Sequence, residues 1–251
     1  MITIKSPGEI ELMRNAGRIT AAARALAGDM VKPGITTKEI DEAVYKFITA
    51  QGAIPAFLGY NGFPASICAS VNDAVIHGIP SGRILRDGDI VSIDVGAVMD
   101  GYVGDCAATF VVGNGDEVSK RLIEVTRQSF YEGIKYAREG HRVSDISHAI
   151  QSYVESFGYS IVREFVGHGI GANMHEPPEV PNYGPPGHGS RLTRGMTLAI
   201  EPMVNEKGAK ILIKDDGWTV TTADGGLSAH YENTILITSG EPEILTVFED
   251  V

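Results

Sequence analysis

The sequence predicts an α+β domain built from two related halves, and three observations carry that prediction. First, residues 90–110 read as a hairpin of two long alternating runs joined by Asp100-Gly101, a dipeptide suited to a two-residue turn because both positions need positive φ. Second, capping boxes and helical apolar spacing mark helices on either side of that hairpin. Third, the order helix, helix, acid-bearing strand, acid-bearing strand occurs twice. The halves, roughly 7–113 and 114–251, are expected to pack about a pseudo-two-fold axis into a single domain, 1–251.

Ser6-Pro7-Gly8-Glu9 combines a capping box with proline at the first helical position, where its missing N–H is no loss. Leu12, Ala16, Ile19, Ala23, Leu26 and Met30 then predict one buried face of a long helix, which Lys32-Pro33-Gly34 breaks. A second capping box, Thr36 to Glu39, opens a helix that runs to Gly52. Residues 53–80, rich in aromatics, glycine and proline, read as short strands and loops. In the hairpin that follows, Met99 lies opposite Tyr102, Gly96 opposite Asp105 and Asp94 opposite Ala107. After a turn at Gly113-Asn114-Gly115, a charged helix extends to about Glu139 with Ile123, Phe130, Ile134 and Ala137 inward, and Gly140 stops it. A fourth helix, 143–157, has Ile146, Ala149, Ile150, Tyr153 and Val154 on one side. It repeats the second at a constant offset of 106 residues: Gly34, Ile40, Val44, Ile48 and Gly52 correspond to Gly140, Ile146, Ile150, Val154 and Gly158. The segment 87–94 resembles 193–201, one residue longer, and Asp105 with its apolar run resembles Glu232 with residues 234–238.

Composition narrows the function without naming it. The 251 residues suffice for a sizeable core, and a hydrophobic fraction of 43% is ordinary for a soluble globular chain. A net charge of −11 argues against nucleic acid or an anionic membrane surface as a partner held by bulk charge. No apolar run approaches a membrane span, and MITIKSPGEI lacks the apolar core of a signal peptide. Cys68 and Cys106 form neither a zinc pattern nor a disulfide framework, so a reduced, cytoplasmic setting is expected.

The chemistry concentrates on acids. Residues two apart on a strand share a face, which makes Asp94 and Asp105 diagonal cross-strand neighbours. A lone carboxylate in a strand is ordinarily a solvated edge residue, but two on an apolar hairpin repel each other and are costly to bury. A cation between them resolves this. The repeat supplies Glu201, in LAIEP, and Glu232, in AHYEN, as the matching pair. Four converging carboxylates need about two divalent cations for balance. His168, in VGHGIG, is the best imidazole; it shifts the metal set from magnesium, calcium or manganese toward manganese, iron, cobalt, nickel or zinc. His77, in VIHGIPSG, and His175, in NMHEPPEVP, sit in proline-stiffened loops out of register with the acids. They suit hydrogen bonds to a substrate or to charge developing in a transition state. His141, His148, His188 and His230 are read as structural, the last two in loops.

In this order and spacing, Asp94, Asp105, His168, Glu201 and Glu232 resemble the five metal ligands of the methionine aminopeptidases, dinuclear metallopeptidases of the pita-bread fold. The phrases SIDVG, GYVGD, GHGIG, MHEPP, AIEPM and HYENT agree, and the resemblance covers essentially the whole chain. It implies a mainly antiparallel sheet covered by helices, and removal of the N-terminal methionine from nascent polypeptides with preference for a small second residue. It also implies two divalent ions per chain, of cobalt, manganese, iron, nickel or zinc. Asp105 and Glu232 would bridge both, Asp94 would complete one, and His168 with Glu201 the other. The implied mechanism is attack by a metal-bound hydroxide, with Glu201 as general acid and base and with His175 and His77 as catalytic contacts to the substrate and the tetrahedral intermediate.

Tyr60, Phe63, Cys68, Trp218 and Phe57 match the family's substrate-pocket positions. Phe57 stands where some relatives carry a smaller cysteine, and Met174 where aromatic residues occur. Without a Cys/His-rich extension before the first helix or a long helical insertion between 168 and 232, the chain resembles the short, bacterial-type (type I) form. A cytoplasmic monomer acting on nascent chains near the ribosomal exit tunnel is the implied setting. Two other readings share the fold. A proline-directed peptidase usually carries a large N-terminal domain, and a binding protein that has abandoned catalysis typically loses ligands.

Overall fold

Both capping boxes close in the computed structural model, which describes residues 1–248. The Glu9 carboxylate accepts from the Ser6 N–H at 2.7 Å while the Ser6 hydroxyl accepts from the Glu9 N–H, opening α1 (Pro7–Met30). Thr36 and Glu39 do the same for α2 (Thr37–Ala50). The chain continues through β1 (Ile54–Pro55), a single 3-10 turn at Tyr60–Gly62, β2 (Ile67–Val71), β3 (Ala74–Ile76) and the hairpin of β4 (Ile90–Met99) and β5 (Tyr102–Val111). Helices α3 (Glu117–Ile134) and α4 (Val143–Ser156) follow, then β6 (Ser160–Ile161), β7 (Gly167–Gly169), β8 (Glu176–Val180), β9 (Thr197–Ile200) and β10 (Met203–Asn205). The last strands are β11 (Ile211–Ile213), β12 (Val220–Thr222), β13 (Ser228–His230), β14 (Glu232–Leu236) and β15 (Glu243–Ile244).

The hairpin has the register its turn dictates. Asp94 pairs with Ala107, Gly96 with Asp105 and Met99 with Tyr102, and both turn residues have positive φ, 50° at Asp100 and 79° at Gly101. It belongs to a nine-stranded sheet with the order β1-β4-β5-β14-β9-β7-β8, β2 adding to β4 and β15 to β14. All pairings in this sheet are antiparallel, as expected.

The β5–β14 seam is only two register pairs long, Glu232 with Ala107 and Asn233 with Cys106. Hydroxyls extend it at both ends. The Thr234 hydroxyl accepts from the Asp105 N–H at 3.1 Å and donates to the Asp105 carbonyl at 2.9 Å. The Thr109 hydroxyl accepts from the His230 N–H at 2.9 Å and donates to the His230 carbonyl at 2.9 Å. Side chains thus stand in for missing ladder bonds and satisfy buried backbone groups.

Ile40, Val44 and Ile48 of α2 pack with Ile67, Val91, Ile93 and Val95, and Ile146, Ile150 and Val154 of α4 pack with Phe130, Leu198 and Ile235. Gly34, Gly52, Gly140 and Gly158, the glycines at the ends of the repeated segment, all have positive φ.

Two helix expectations are corrected. On α1 the inward residues are Met13, Ala16, Gly17, Thr20, Ala21, Ala23 and Ala27, whereas Leu12, Ile19, Leu26 and Met30 are half-buried. The helix lies so close to β5 that a Cβ on Gly104 would come within 2.9 Å of Gly17 Cα. Small residues take that contact and larger ones flank it. Helix α3 ends at Ile134, not near Glu139, because the N–H groups of Glu139 and Gly140 go to the carbonyls of Thr238 and Leu192. Before them, the N–H groups of Tyr136 and Ala137 return to the carbonyls of Gly133 and Ile134, three residues back, which tightens the helix end.

The close α1–β5 contact predicts that Gly104→Ala destabilises the protein by about 1–3 kcal/mol through overpacking. Urea unfolding should show a lower midpoint with an unchanged m value. A midpoint equal to that of the wild type would contradict the packing described.

Candidate metal centre

Alternation along β4, β5 and β14 places carboxylates around a small residue. Asp94 lies opposite Ala107 on β5, and Ala107 lies opposite Glu232 on β14, so a methyl group separates the flanking acids. Asp105 is two residues from Ala107 on the same face, and Glu201 follows the end of β9. Asp94, Asp105, Glu201, Glu232 and His168 all line one cavity of about 180 Å³.

His168 is held by a squeeze on its backbone. A Cβ on Gly167 would sit 2.4 Å from the Ala199 carbonyl oxygen, and one on Gly169 2.3 Å from that of Pro177, so only glycine fits on either side of the imidazole. The ring Nδ1 donates to the Gly169 carbonyl at 2.9 Å, which leaves the Nε2 lone pair facing the acids. Nε2 is 3.6 Å from Glu201 Oε1 and 3.9 Å from Asp105 Oδ2.

No lysine or arginine lines this cavity among the described residues. Arg24, reaching from α1, donates to the Glu232 carbonyl at 3.0 Å and the Ala107 carbonyl at 3.3 Å, behind the carboxylates. Burial, then repulsion from neighbouring acids, pushes Asp105, Glu201 and Glu232 well above the ordinary carboxylate range. Burial pushes Asp94 up to about 7. Burial, with His175 nearby, pushes His168 down to about 4. Asp94 Oδ1, Asp105 Oδ1 and Glu232 Oε1 are buried with no hydrogen-bond partner among the described residues. Orphaned carboxylate oxygens beside a neutral imidazole fit divalent cations.

The cluster contains a residue that was expected to be structural and in a loop. His230 ends β13, is 2% exposed, and places Nε2 3.6 Å from Glu232 Oε2. Its donor atom lies within 4.8 Å of those of Asp94 and Glu232, as those of Asp105, His168 and Glu232 lie within 4.8 Å of one another. The available signal is its position two residues before Glu232. His141, His148 and His188 do not line the cavity.

His77, His175, Phe57, Tyr60, Phe63, Cys68 and Trp218 all line the cavity, with Met174 and Asn61. His77 has a φ of 57°, rare for a side-chain-bearing residue, and its ring packs edge-on to Phe165 and Trp218 at 5.5 and 6.3 Å. Burial pushes it down to about 4. The His175 ring is 4.2 Å from that of His168, and its Nδ1 is 2.7 Å from the Tyr60 hydroxyl. Phe57 and Met174 close over Gly96, where a Cβ would be 2.8 Å from Phe57 Cε1 and 3.0 Å from Met174 Cε. Buried Lys5 donates to Glu176, next to His175, at 2.6 Å, and Glu176 also accepts from the Asn173 N–H at 3.1 Å. Nothing near Lys5 in the chain points to residue 176, so this tie on the His175 loop is legible only in the fold.

The carboxylate shifts predict a response to metal removal. An acid whose folded pKa is raised keeps its proton longer when folded, so its contribution is intact below the unfolded value of about 4 and is lost as pH rises through the folded value. For Asp94 that value is about 7. The Tm of metal-stripped protein should fall between about pH 5 and pH 8, and saturating manganese(II) should raise it more at the higher pH. A flat profile without metal would contradict the shifts.

Comparison with known proteins places this geometry in a family. The chain is 54% identical over 250 residues to a methionine aminopeptidase of Clostridium acetobutylicum, covering 99% of this chain and 100% of the relative. To methionine aminopeptidase 1 of Bacillus subtilis it is 53% identical over 246 residues, 98% of this chain and 99% of the relative. The crystal structure of methionine aminopeptidase from Rickettsia prowazekii superposes with a TM-score of 0.97 at 44% identity, over 98% of this chain and 100% of that one. The fold is thus the expected pita-bread architecture. The family model described as metallopeptidase family M24 matches residues 11–239. With nine-tenths of its length inside that match, the chain belongs to metallopeptidase family M24.

Proposed function

We propose that this enzyme removes the N-terminal methionine from newly made polypeptides, with two divalent ions held by Asp94, Asp105, His168, Glu201 and Glu232. One observation carries the reading. Three orphaned carboxylate oxygens, on Asp94, Asp105 and Glu232, lie at a cavity walled by aromatic and sulfur-bearing side chains. Bound divalent ions would supply a lowered pKa for water and polarisation of the scissile carbonyl. Asp105 and Glu232 would serve both ions, Asp94 one, and His168 with Glu201 the other.

The remaining chemistry belongs to the chain. Glu201 takes the proton of the attacking water and returns it to the departing amine. With the Tyr60 hydroxyl donating to His175 Nδ1, the proton of that imidazole sits on Nε2, where it can be donated to substrate. His77, kept neutral by burial, donates to the carbonyl oxygen as charge develops there.

Phe57, Tyr60, Phe63, Cys68, Met174 and Trp218 form soft, polarizable walls. A thioether gains about 0.3–1.5 kcal/mol per sulfur–aromatic contact. A cavity of about 180 Å³ is smaller than drug-sized pockets of roughly 300–1,000 Å³ and suits a single side chain. The family resemblance supports a small second residue, a monomer, and work in the cytoplasm near the ribosomal exit tunnel; no helix among the described residues is long and apolar enough to cross a membrane.

Steady-state cleavage of Met-Ala-Ser against Xaa-Pro peptides tests the substrate. Release of methionine from the first is expected, and cleavage of Xaa-Pro alone would sink the assignment. Removing one donor to developing charge costs about 10²–10³ in turnover, so His77→Ala should lose that much while retaining its metal. Asp105→Ala or Glu232→Ala should lose both metal and activity. Metal loss from His77→Ala, read by elemental analysis, would overturn its assigned role.

A further inference from the structure

We infer that His230 is an additional metal ligand, its Nε2 coordinating the ion held between Asp94 and Glu232. The inference rests on the metal-centre reading above and extends it from five donors to six.

The backbone of His230 is fixed on both of its polar groups by the Thr109 hydroxyl. The His230 side chain turns toward the acids, bringing Nε2 to 3.6 Å from Glu232 Oε2. The imidazole is 2% exposed, and its Nε2 is buried with no hydrogen-bond partner among the described residues. At 3.6 Å from Glu232 Oε2 it is too far for a hydrogen bond, so a direct structural contact does not account for it. Leaving a buried polar nitrogen unsatisfied is unfavourable, and native interiors rarely do so without a reason.

A cation resolves all three orphans at once. Asp94, His230 and Glu232 each offer one donor atom within 4.8 Å, and Asp94 Oδ1, His230 Nε2 and Glu232 Oε1 are all without partners. The other triad, Asp105, His168 and Glu232, shares Glu232 and has its own imidazole. Each of the two ions then receives one nitrogen. A nitrogen on the Asp94 side disfavours magnesium and calcium there and favours the borderline transition ions.

Cobalt(II)-loaded full-length protein labelled with ¹⁵N-histidine tests this by NMR, because only a directly bound imidazole acquires a large contact shift. Two contact-shifted imidazoles are expected in the wild type, and one each in His230→Gln and His168→Gln. Glutamine keeps a hydrogen-bond donor but removes the imidazole, so a merely structural His230 would leave the spectrum of His230→Gln like that of the wild type. Calorimetry should show weakening of one of two cobalt ions by at least about tenfold in His230→Gln. A wild type that binds two cobalt ions with a single contact-shifted imidazole would overturn the assignment of His230 and leave the five-ligand centre standing. Should the wild type bind no cobalt, the metal-centre reading and this inference fail together. If His230→Gln does not fold, the wild-type count alone decides.

Discussion

Mutual repulsion among Asp94, Asp105, Glu201 and Glu232, confined in one cavity with no lysine or arginine on its walls among the described residues, is the constraint on which the structure turns. Left alone, these groups would hold their protons or spread apart. The scaffold prevents the spreading. Ala107 sets the gap between Asp94 and Glu232, the hydroxyls of Thr109 and Thr234 clasp a seam of only two register pairs, and Arg24 ties the backbone from behind. Small residues on α1 let that helix lie directly on β5, stiffening the strand that carries Asp105.

The cavity divides its labour by chemistry. Its acids and imidazoles come from strands or strand ends, where neighbouring rows fix direction, while its aromatic walls come largely from the loop around the Tyr60–Gly62 turn. Absent side chains matter as much as present ones. Glycines flank His168 because carbonyl oxygens crowd both sides, and Gly96 leaves the space into which Phe57 and Met174 fold. The left-handed backbone at His77 is a local strain of the kind that surrounding structure maintains at functional sites.

Much of this was legible in the chain. Asp100-Gly101 dictated the hairpin register, the two capping boxes set the starts of α1 and α2, and the predicted acids and His168 do converge. What escaped depended on distances between segments. Apolar spacing on α1 gave the wrong centre for its buried face, because hydrophobicity does not record how closely a helix approaches a strand. The end of α3 was missed since its competing carbonyls, on Leu192 and Thr238, lie far along the chain. The sequence reads His230 as a loop residue because β13 is three residues long, too short for alternation to announce it. The same brevity hid the Thr109 and Thr234 clasps.

Calorimetric titration of metal-stripped protein with manganese(II), repeated near neutral pH in buffers of different ionisation enthalpy, tests the central claim most directly. If the gathered acids await counter-charge, two ions should bind per chain with net release of protons, because acids that burial keeps protonated must lose them to bind metal. Binding of no ion, or of two ions without proton release, would contradict the account.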